Sequence, residues 1–363
     1  MKTVIFRPTN SCNLRCTYCY DKNNHNLSES QIRANATEVF KKEENQILKS
    51  LNLIYEGEKS PKIIFHGGEP LLISPEVLNR FCERLKEQQD IDFSIQTNGT
   101  LINSEVIDLF KEHKFGVGIS LDGCNEQQNY ARIFPSGKNS YELVMKNIKK
   151  LQDANVKFGI IMSVTKKHQG CEQQLYDFIG QHNISCNIRP VFASDPTNVA
   201  EIMTETEYAK FFNKLFDIWY DDQTKKVETY QILELYQALK KEVDPSYIDR
   251  NCSNSDRCFK DFVSMDVFSN LYACNRLYGI DKFYYGNLKH DSMESIYKKV
   301  DTLLKERNEA ISEKCGECPT ISECNGGCPA EAYDIYGDIK HPATNCKVKK
   351  LVSEHVKGRI ICP

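Results

Sequence analysis

The sequence lacks the long apolar segments of a membrane protein. No apolar run approaches the ~20 residues that an α-helix needs to cross a bilayer. The N-terminal stretch MKTVIFRPTN has neither the apolar core nor the small-residue cleavage site of a secretory signal peptide. Low-complexity runs and repeats of solenoid length are also missing. We therefore expect a globular cytoplasmic protein.

An excess of positive charge is missing too. The chain carries 47 Lys and Arg residues against 50 Asp and Glu residues, which gives a net charge of −3, and its pI is about 6.3. Nucleic-acid-binding surfaces and polybasic membrane-binding surfaces need a clear excess of Lys and Arg. We therefore expect neither nucleic acid nor membrane among the partners of this protein.

Cysteine, by contrast, is abundant, at 16 of 363 residues. An exported protein would use so many cysteines in disulfides. Without an export signal, closely spaced cysteines indicate metal ligands instead. The length and the apolar content of 40% allow one large barrel or two to three domains with cores of their own.

Strand-like apolar segments alternate with amphipathic segments as far as residue 195. Helix starts are signalled by Ser28, by Ser74 followed by Pro75, and by Ser104. Repeated strand–helix units predict a parallel sheet with right-handed crossovers. Six units are too few for a closed eight-stranded barrel, so we expect an α/β fold with a partial (β/α)6 TIM-like barrel. The predicted strands are 3–9, 62–68, 92–99, 116–123, 157–165 and 185–192, and the predicted helices lie near 28–53, 74–88, 104–113, 140–154 and 170–181.

The remaining part of the chain changes in character near residue 250. Residues 204–243 are predicted to be helical, because Thr204 and Glu207 fit a capping box and apolar residues follow at a spacing near 3.6. After about residue 250 cysteines and turn residues become frequent. We therefore predict a barrel over 1–200, a helical connection over 201–248, and a small cysteine-rich domain with a C-terminal helix over 249–363.

Polar motifs stand where the predicted strands end. HGGEP, QTNGT and SLDG each follow an apolar segment, and a cysteine triplet follows the first one. In barrel enzymes the carboxyl ends of the strands carry the active site. A lone GGEP is typical of a turn that ends a strand. Together, these motifs predict a site at one rim of the barrel.

The triplet has the spacing C-x3-C-x2-C, with Cys12, Cys16 and Cys19 in the stretch CNLRCTYCY. Three thiolates are one short of a closed tetrahedral zinc site, whereas an iron–sulfur cluster on three thiolates keeps an open position. A structural zinc, a redox pair with a spare thiol, or three unliganded cysteines also fit the spacing.

Eight further cysteines make two sets of four in the C-terminal part. The spacing C-x2-C-x5-C-x3-C over 315–328 indicates metal binding, for which zinc ribbons and iron–sulfur clusters are alternatives. Of the remaining five, we expect Cys82 to pack in the core from an apolar helical face and Cys362 to lie in a loose tail. For Cys124 we favour a spectator thiol over a substrate contact. The eight are Cys252, Cys258, Cys274, Cys315, Cys318, Cys324, Cys328 and Cys346, and the two others of the five are Cys171 and Cys186.

With these motifs, nearly the whole chain resembles the radical S-adenosylmethionine (SAM) enzymes that carry a two-cluster, twitch-free SPASM domain. The resemblance implies a [4Fe-4S] cluster on Cys12, Cys16 and Cys19 whose open iron chelates SAM. One electron would then split SAM to give a 5′-deoxyadenosyl radical. The resemblance also implies SAM contacts by Tyr18, Gly67, Gly68 and Glu69, by Ser120 and Arg132 at the ribose and carboxylate, and by the backbone near Ser194 at the adenine.

The same resemblance implies two auxiliary [4Fe-4S] clusters, and thus three in all. One set would be Cys252, Cys258, Cys274 and Cys328, and the other Cys315, Cys318, Cys324 and Cys346. The best-known branches of this family modify peptides and proteins, so the resemblance implies a peptide or protein substrate, with ferredoxin or flavodoxin as the kind of electron donor expected.

Two branches of the family are candidates for the activity. We favour a maturase that oxidises or cross-links a residue of a ribosomally made peptide, for example by thioether formation, although no leader-binding domain precedes the first strand at Thr3. The alternative is an anaerobic sulfatase-maturing enzyme, which converts Cys or Ser to formylglycine. In that branch an aspartate follows the cysteine that matches Cys274 and serves as the base. Here that position is Asn275, which cannot accept a proton, so Asp266, Asp281 or a tyrosine would have to replace it.

Two other classes of protein remain as rivals. A zinc-ribbon interaction protein would be colourless and contain zinc. A pure electron-transfer protein would contain iron and sulfide but would not cleave SAM. The open position of the triplet, GGEP, and the spacing from SLDG to Arg132 count against both.

Overall fold

The computed structural model describes residues 1–21, 27–191, 201–224, 227, 232, 236, 252, 255–318, 321–343 and 346–361. Among them, no helix is both long and apolar enough to cross a membrane. The strands are β1 (Thr3–Arg7), β2 (Lys62–Phe65), β3 (Asp92–Thr97), β4 (Gly116–Ser120), β5 (Phe158–Val164), β6 (Ser185–Pro190), β7 (Phe262–Asp266), β8 (Asn270–Tyr272) and β9 (Tyr284–Asn287). The α-helices are α1 (Glu29–Tyr55), α2 (Pro75–Lys86), α3 (Ser104–Glu112), α4 (Tyr141–Asp153), α5 (Glu172–Gln181), α6 (Glu205–Asp221), α7 (Cys258–Asp261), α8 (Met293–Cys315), α9 (Ile321–Cys324), α10 (Pro329–Tyr336) and α11 (Cys346–Ile361).

Each of the six predicted strand–helix alternations is present, and the predicted α/β class is confirmed. Ser28 and Ser74 cap α1 and α2 through their side chains, and Thr204 and Glu207 form the capping box of α6. The predicted start signal of α3, Ser104, is one residue too far along the chain. Asn103 is its cap and accepts from Val106 N, because an asparagine oxygen caps as well as a serine hydroxyl does.

Contacts divide the chain into two compact units. Unit 1 comprises 1–119, 133–158 and 257–305, and unit 2 comprises 120–132, 159–256 and 306–363. In unit 1 the strand order is β4-β3-β2-β1-β7-β8-β9, and the pairs from β4 to β7 are parallel. The strands β8 and β9 add antiparallel pairs at one edge. The predicted boundary at 245–250 lies outside the described residues, and the predicted domain limits stay a prediction.

The core of unit 1 is a cluster of phenylalanines between the parallel strands and the helices that follow them. Phe6 on β1 and Phe65 on β2 contact each other and Phe81 on α2, with ring centroids 5.9–6.2 Å apart. Phe40 on α1 completes the group. These rings are fully buried. Their packing holds β1 and β2 against α1 and α2 and thereby positions the residues that follow the two strands.

In unit 2, β5 and β6 pair in parallel, and α6 packs against both α5 and α11. The apolar face of α6 carries Phe212, Phe216 and Trp219, all of them buried. His355 of α11 contacts the Phe216 ring edge-on and bonds Asp217 at 2.8 Å. The C-terminal helix that the sequence predicted is thereby held on α6.

Candidate active site

The cysteine triplet lies in the loop that follows β1. Cys12, Cys16 and Cys19 are each partly exposed, and Cys19 N donates to Cys16 O at 3.1 Å. Leu14 N donates to the Cys12 sulfur at 3.4 Å. Burial raises the pKa of the Cys12 thiol, and the neighbouring carboxylate of Glu69 and the two other thiols raise it further. The sequence therefore brings the three predicted ligands into one electrostatically coupled group.

The loop after β3, which contains QTNGT, holds the triplet loop in place. Asn98 Nδ2 donates to Asn13 Oδ1 at 2.9 Å and lies 3.8 Å from the Cys12 sulfur. Asn13 in turn donates to Thr100 Oγ1 at 3.0 Å. This motif thus joins the site at the rim as predicted, in the role of a support for the cysteine loop.

The two glycines of HGGEP allow the end of β2 to approach the triplet loop closely. Gly68 N donates to Thr9 O at 3.1 Å. A Cβ atom at Gly68 would lie 2.0 Å from Ser11 O, so a side chain cannot be accommodated here. Gly67 has φ +103°, a conformation that glycine adopts without strain. The glycines are therefore needed for the contact between the two loops.

Glu69 is completely buried and ties the ends of β2 and β3 together. Its carboxylate accepts hydrogen bonds from Leu71 N at 3.0 Å, Thr97 Oγ1 at 2.7 Å and Asn98 N at 2.7 Å. Burial raises the pKa of Glu69 to about 7, and these three donors act in the opposite direction. The side chain thus stabilises the same loops that hold the triplet.

Arg7, the last residue of β1, is a site residue that the sequence analysis missed. Its side chain is fully buried and donates to Asp21 at 2.9 Å and to Asn275 Oδ1 at 2.7 Å. Its guanidinium lies 4.1 Å from the centre of the Tyr278 ring. The sequence did contain a signal for Arg7 as a site residue. Arg7 directly follows the apolar segment VIF, and a charged side chain in such a place needs a partner.

The family model described as "Radical SAM superfamily" matches residues 6–179, the stretch that holds the triplet, HGGEP and QTNGT. This chain contains a radical SAM domain.

Relatives of this radical SAM protein match it over nearly its whole length. The cysteine-type anaerobic sulfatase-maturating enzyme of Clostridium novyi is 28% identical over 348 residues, which are 90% of this chain and 87% of the relative. The solved structure of native anSMEcpe with bound AdoMet and Cp18Cys peptide has a TM-score of 0.80 at 22% identity and covers 99% of this chain and 97% of its own. Streptococcus suis SuiB bound to the precursor peptide SuiA has a TM-score of 0.65 at 16% identity, with coverages of 96% and 75%. At these identities the two structures show the fold alone.

The other predicted SAM contacts are divided between the units. Tyr18 lies half-buried in unit 1, and Ser120 and Arg132 belong to unit 2. Arg132 is buried and its Nε lies 2.9 Å from Asp122 Oδ2, an ion pair that is not aligned as a hydrogen bond. Ser194 lies outside the described residues. The roles of these residues toward SAM stay predictions.

The cysteines of the first predicted auxiliary set are also divided. Cys258 and Cys274 belong to unit 1, where both lie close enough to Tyr285 to raise the pKa of its hydroxyl, after burial as the larger cause. Cys252 and Cys328 belong to unit 2 and are partly exposed.

The second predicted auxiliary set lies within unit 2, where Cys315 and Cys346 both interact electrostatically with Cys318 and Cys324. Burial raises the pKa of Cys315, and Cys346, Cys318 and Cys324 raise it further. The buried Arg307 holds the adjoining turn by donating to Gly326 O at 2.8 Å and Gly327 O at 3.0 Å. Lys349 Nζ lies 3.5 Å from the Cys324 sulfur.

The donor chemistry fits iron–sulfur clusters. Burial disfavours the charged thiolates of Cys12, Cys315 and Cys346, so an iron centre, as a cation, would supply the missing compensation. Among the described residues, no three His, Cys, Asp or Glu side chains are grouped closely enough to hold a single metal ion. None of the fifteen described cysteines is in a disulfide.

Glu69→Gln should weaken SAM binding about tenfold, because an amide offers one accepting atom where the carboxylate offers two. Asn98 N would lose its partner, and the loops around Gly68 and Cys12 would loosen. Equilibrium binding of SAM to the anaerobically reconstituted protein measures this change. Glu76→Gln, an exposed change in the first turn of α2, is the control. Equal affinities of the two variants would contradict the role given to Glu69.

Proposed function

We propose that this protein oxidises a cysteine or serine side chain of a peptide substrate to formylglycine. The observation that carries the proposal is the similarity to a sulfatase-maturating enzyme over 90% of the chain. This supports the alternative of the sequence analysis more than its preferred interpretation, a maturase of ribosomally made peptides. The peptide, SAM and an electron donor such as ferredoxin or flavodoxin are the partners that the activity requires.

The proposed cofactors are SAM and three [4Fe-4S] clusters. Cys12, Cys16 and Cys19 would hold the first, and the two sets of four would hold the auxiliary clusters. When bound, the first cluster and SAM supply a 5′-deoxyadenosyl radical that removes a hydrogen atom from the substrate.

The residues of this chain provide the setting for that chemistry. Glu69 and Asn98 hold the triplet loop against the end of β3, and Gly68 lets the end of β2 reach it. The buried pair of Arg132 and Asp122 offers a fixed guanidinium, which suits the carboxylate of SAM.

Maturation of a ribosomally made peptide is the second candidate. Asn275 favours it, since the base expected in the sulfatase-maturing branch is missing at this position. The fold likeness to SuiB is compatible with either candidate.

The test uses anaerobically reconstituted protein with reductant, SAM and a cysteine peptide of the sulfatase type. We expect 5′-deoxyadenosine together with an aldehyde on the peptide, detected by mass and by hydrazide capture. The same peptide with alanine in place of the cysteine should give no aldehyde. Deoxyadenosine with the cysteine peptide unchanged would overturn the formylglycine activity and favour the second candidate.

Lys349→Met should lower the reduction potential of a cluster on the second set by tens of millivolts, because a cation beside a sulfur ligand stabilises the reduced form. A redox titration followed by electron paramagnetic resonance measures the potential. Lys357→Met, an exposed change further along α11, should leave it unaltered. Equal shifts in both variants would mean that Lys349 acts only through the net charge of the surface.

A further inference from the structure

The orientation of the Asn275 side chain is decided by Arg7. Arg7 Nη1 lies 2.7 Å from the Asn275 amide, and its other nitrogens donate to Asn10 Oδ1 and to Asp21, each at 2.9 Å. A guanidinium has only donors, so the amide atom that faces it must be the oxygen. Asp21 neutralises the arginine, and the neutral amide completes a buried, charge-balanced group.

With its oxygen on Arg7, Asn275 presents its NH2 group to two other side chains. Nδ2 lies 2.6 Å from Tyr20 Oη and 3.3 Å from His66 Nδ1. Gly67 N also donates to His66 Nδ1, at 2.8 Å. An imidazole nitrogen that receives these N–H groups carries no proton, so the proton of His66 is on Nε2. Tyr20 Oη likewise accepts from Asn275 and keeps its own hydrogen to donate.

The charge state of His66 agrees with this assignment. Burial, and then the positive charge of Arg7, lowers the pKa of His66 to about 4, so the ring is neutral near pH 7. Within the described part of the chain, neither Tyr20 Oη nor His66 Nε2 donates to another protein group. Tyr20 is 39% exposed and His66 is partly exposed. Both hydrogens are therefore available to a ligand.

The carboxylate of Asp266 does not replace the base that is missing at Asn275. It accepts hydrogen bonds from Phe268 N, from Asn270 N and Nδ2, and from Tyr278 Oη, all at 2.9 Å. Four donors leave this carboxylate without a lone pair directed at a substrate. Asp266 therefore stays part of the turn between β7 and β8.

We infer that Tyr20 and His66 form a donor pair that binds a backbone carbonyl oxygen of the peptide substrate, with Asn275 as the positioning residue for both. Two neutral donors match a neutral acceptor, and a carbonyl next to the modified residue is present in every peptide. The pair lies beside Cys19 and Gly67, so a carbonyl held there places the neighbouring residue next to the triplet loop. The inference rests on the proposed peptide substrate, but not on formylglycine as the product.

Asn275→Asp reverses the hydrogen bonds in this scheme. A carboxylate cannot donate, so Tyr20 would turn its hydrogen inward to it, and His66 Nδ1 would accept from Gly67 N alone. The same substitution restores the aspartate of the sulfatase-maturing branch. Here we expect it to weaken peptide binding.

Two measurements on the holoenzyme test the inference. Neutron diffraction from deuterium-exchanged anaerobic crystals of the wild type should show deuterium on His66 Nε2, none on His66 Nδ1, and the deuterium of Tyr20 Oη turned away from Asn275. Fluorescence anisotropy with a labelled cysteine peptide of the sulfatase type should show about 3- to 10-fold weaker binding for Tyr20→Phe and for Asn275→Asp. Tyr284→Phe, at the edge strand β9, is the control and should bind as the wild type does.

Iron and sulfide contents equal to those of the wild type will show that the variants still load their clusters. Deuterium on Nδ1 in the wild type, or full-strength peptide binding by Tyr20→Phe, would overturn the donor pair. A wild type that binds no peptide would overturn the substrate assignment. Weaker binding by Tyr20→Phe without any aldehyde product would support the donor pair and reject the formylglycine activity. A failure of the donor pair can therefore be told apart from a failure of the proposed activity.

Discussion

Cys16→Ala should abolish the reductive cleavage of SAM. Cys16 is the middle residue of the triplet, and two thiolates cannot hold a cluster that needs three protein ligands. The reconstituted variant should contain about four iron atoms fewer per chain than the wild type. Iron analysis, the absorbance of the reconstituted protein and the yield of 5′-deoxyadenosine in the presence of dithionite and SAM measure these changes.

The control for this variant is Cys171→Ala, which removes a partly exposed thiol before α5. We expect its iron content and its cleavage of SAM to match those of the wild type. Normal deoxyadenosine formation by Cys16→Ala would contradict the assignment of the triplet. Equal iron losses in both variants would mean that reconstitution depends on the total number of thiols.

Arg7→Met should lower the free energy of unfolding by about 3–5 kcal/mol, the usual cost of removing one partner from a buried ion pair. The Arg7 side chain is fully buried, so Asp21 would lose its counter-ion and Asn275 its donor in a place that water reaches poorly. The apparent melting temperature in differential scanning fluorimetry should therefore fall by several degrees.

Arg84→Met is the matched control, because Arg84 also pairs with a carboxylate but is 38% exposed. Its partner Glu44 keeps Arg80 as a second cation, so the cost should be about 1 kcal/mol or less. The double variant Arg7→Met/Asp21→Asn should be less destabilised than the sum of the single variants, since the two groups are in contact. An Arg7→Met protein as stable as Arg84→Met would show that the buried pair contributes little.

The sequence predicted well those features that depend on neighbours along the chain. Strands such as 62–65 and helices such as α2 are recognisable because a short apolar period, a serine cap and a proline at the first helical position act within a few residues. The cysteine triplet is recognisable for the same reason. One helix cap was misplaced. Ser104 was predicted to cap α3, but the preceding residue, Asn103, is the cap, and both residue types cap helices well.

Most of the candidate site was also within reach of the sequence, because HGGEP and QTNGT stand at strand ends and parallel strands bring their carboxyl ends together. The parts that were missed depend on partners far away in the chain. Arg7 and Asn275 are 268 residues apart and meet because β1 and β7 pair in a register that sets Arg7 beside Asp266. No local pattern encodes that register.

The sequence by itself thus determined the α/β class, the strand order along the chain, and the three groups of cysteines, since each follows from residue types at short spacing. The tertiary structure alone decided which way the amide of Asn275 points and hence which hydrogens Tyr20 and His66 offer. An amide side chain can turn either face to its surroundings. Only the donors and acceptors packed around it in the fold select one of them.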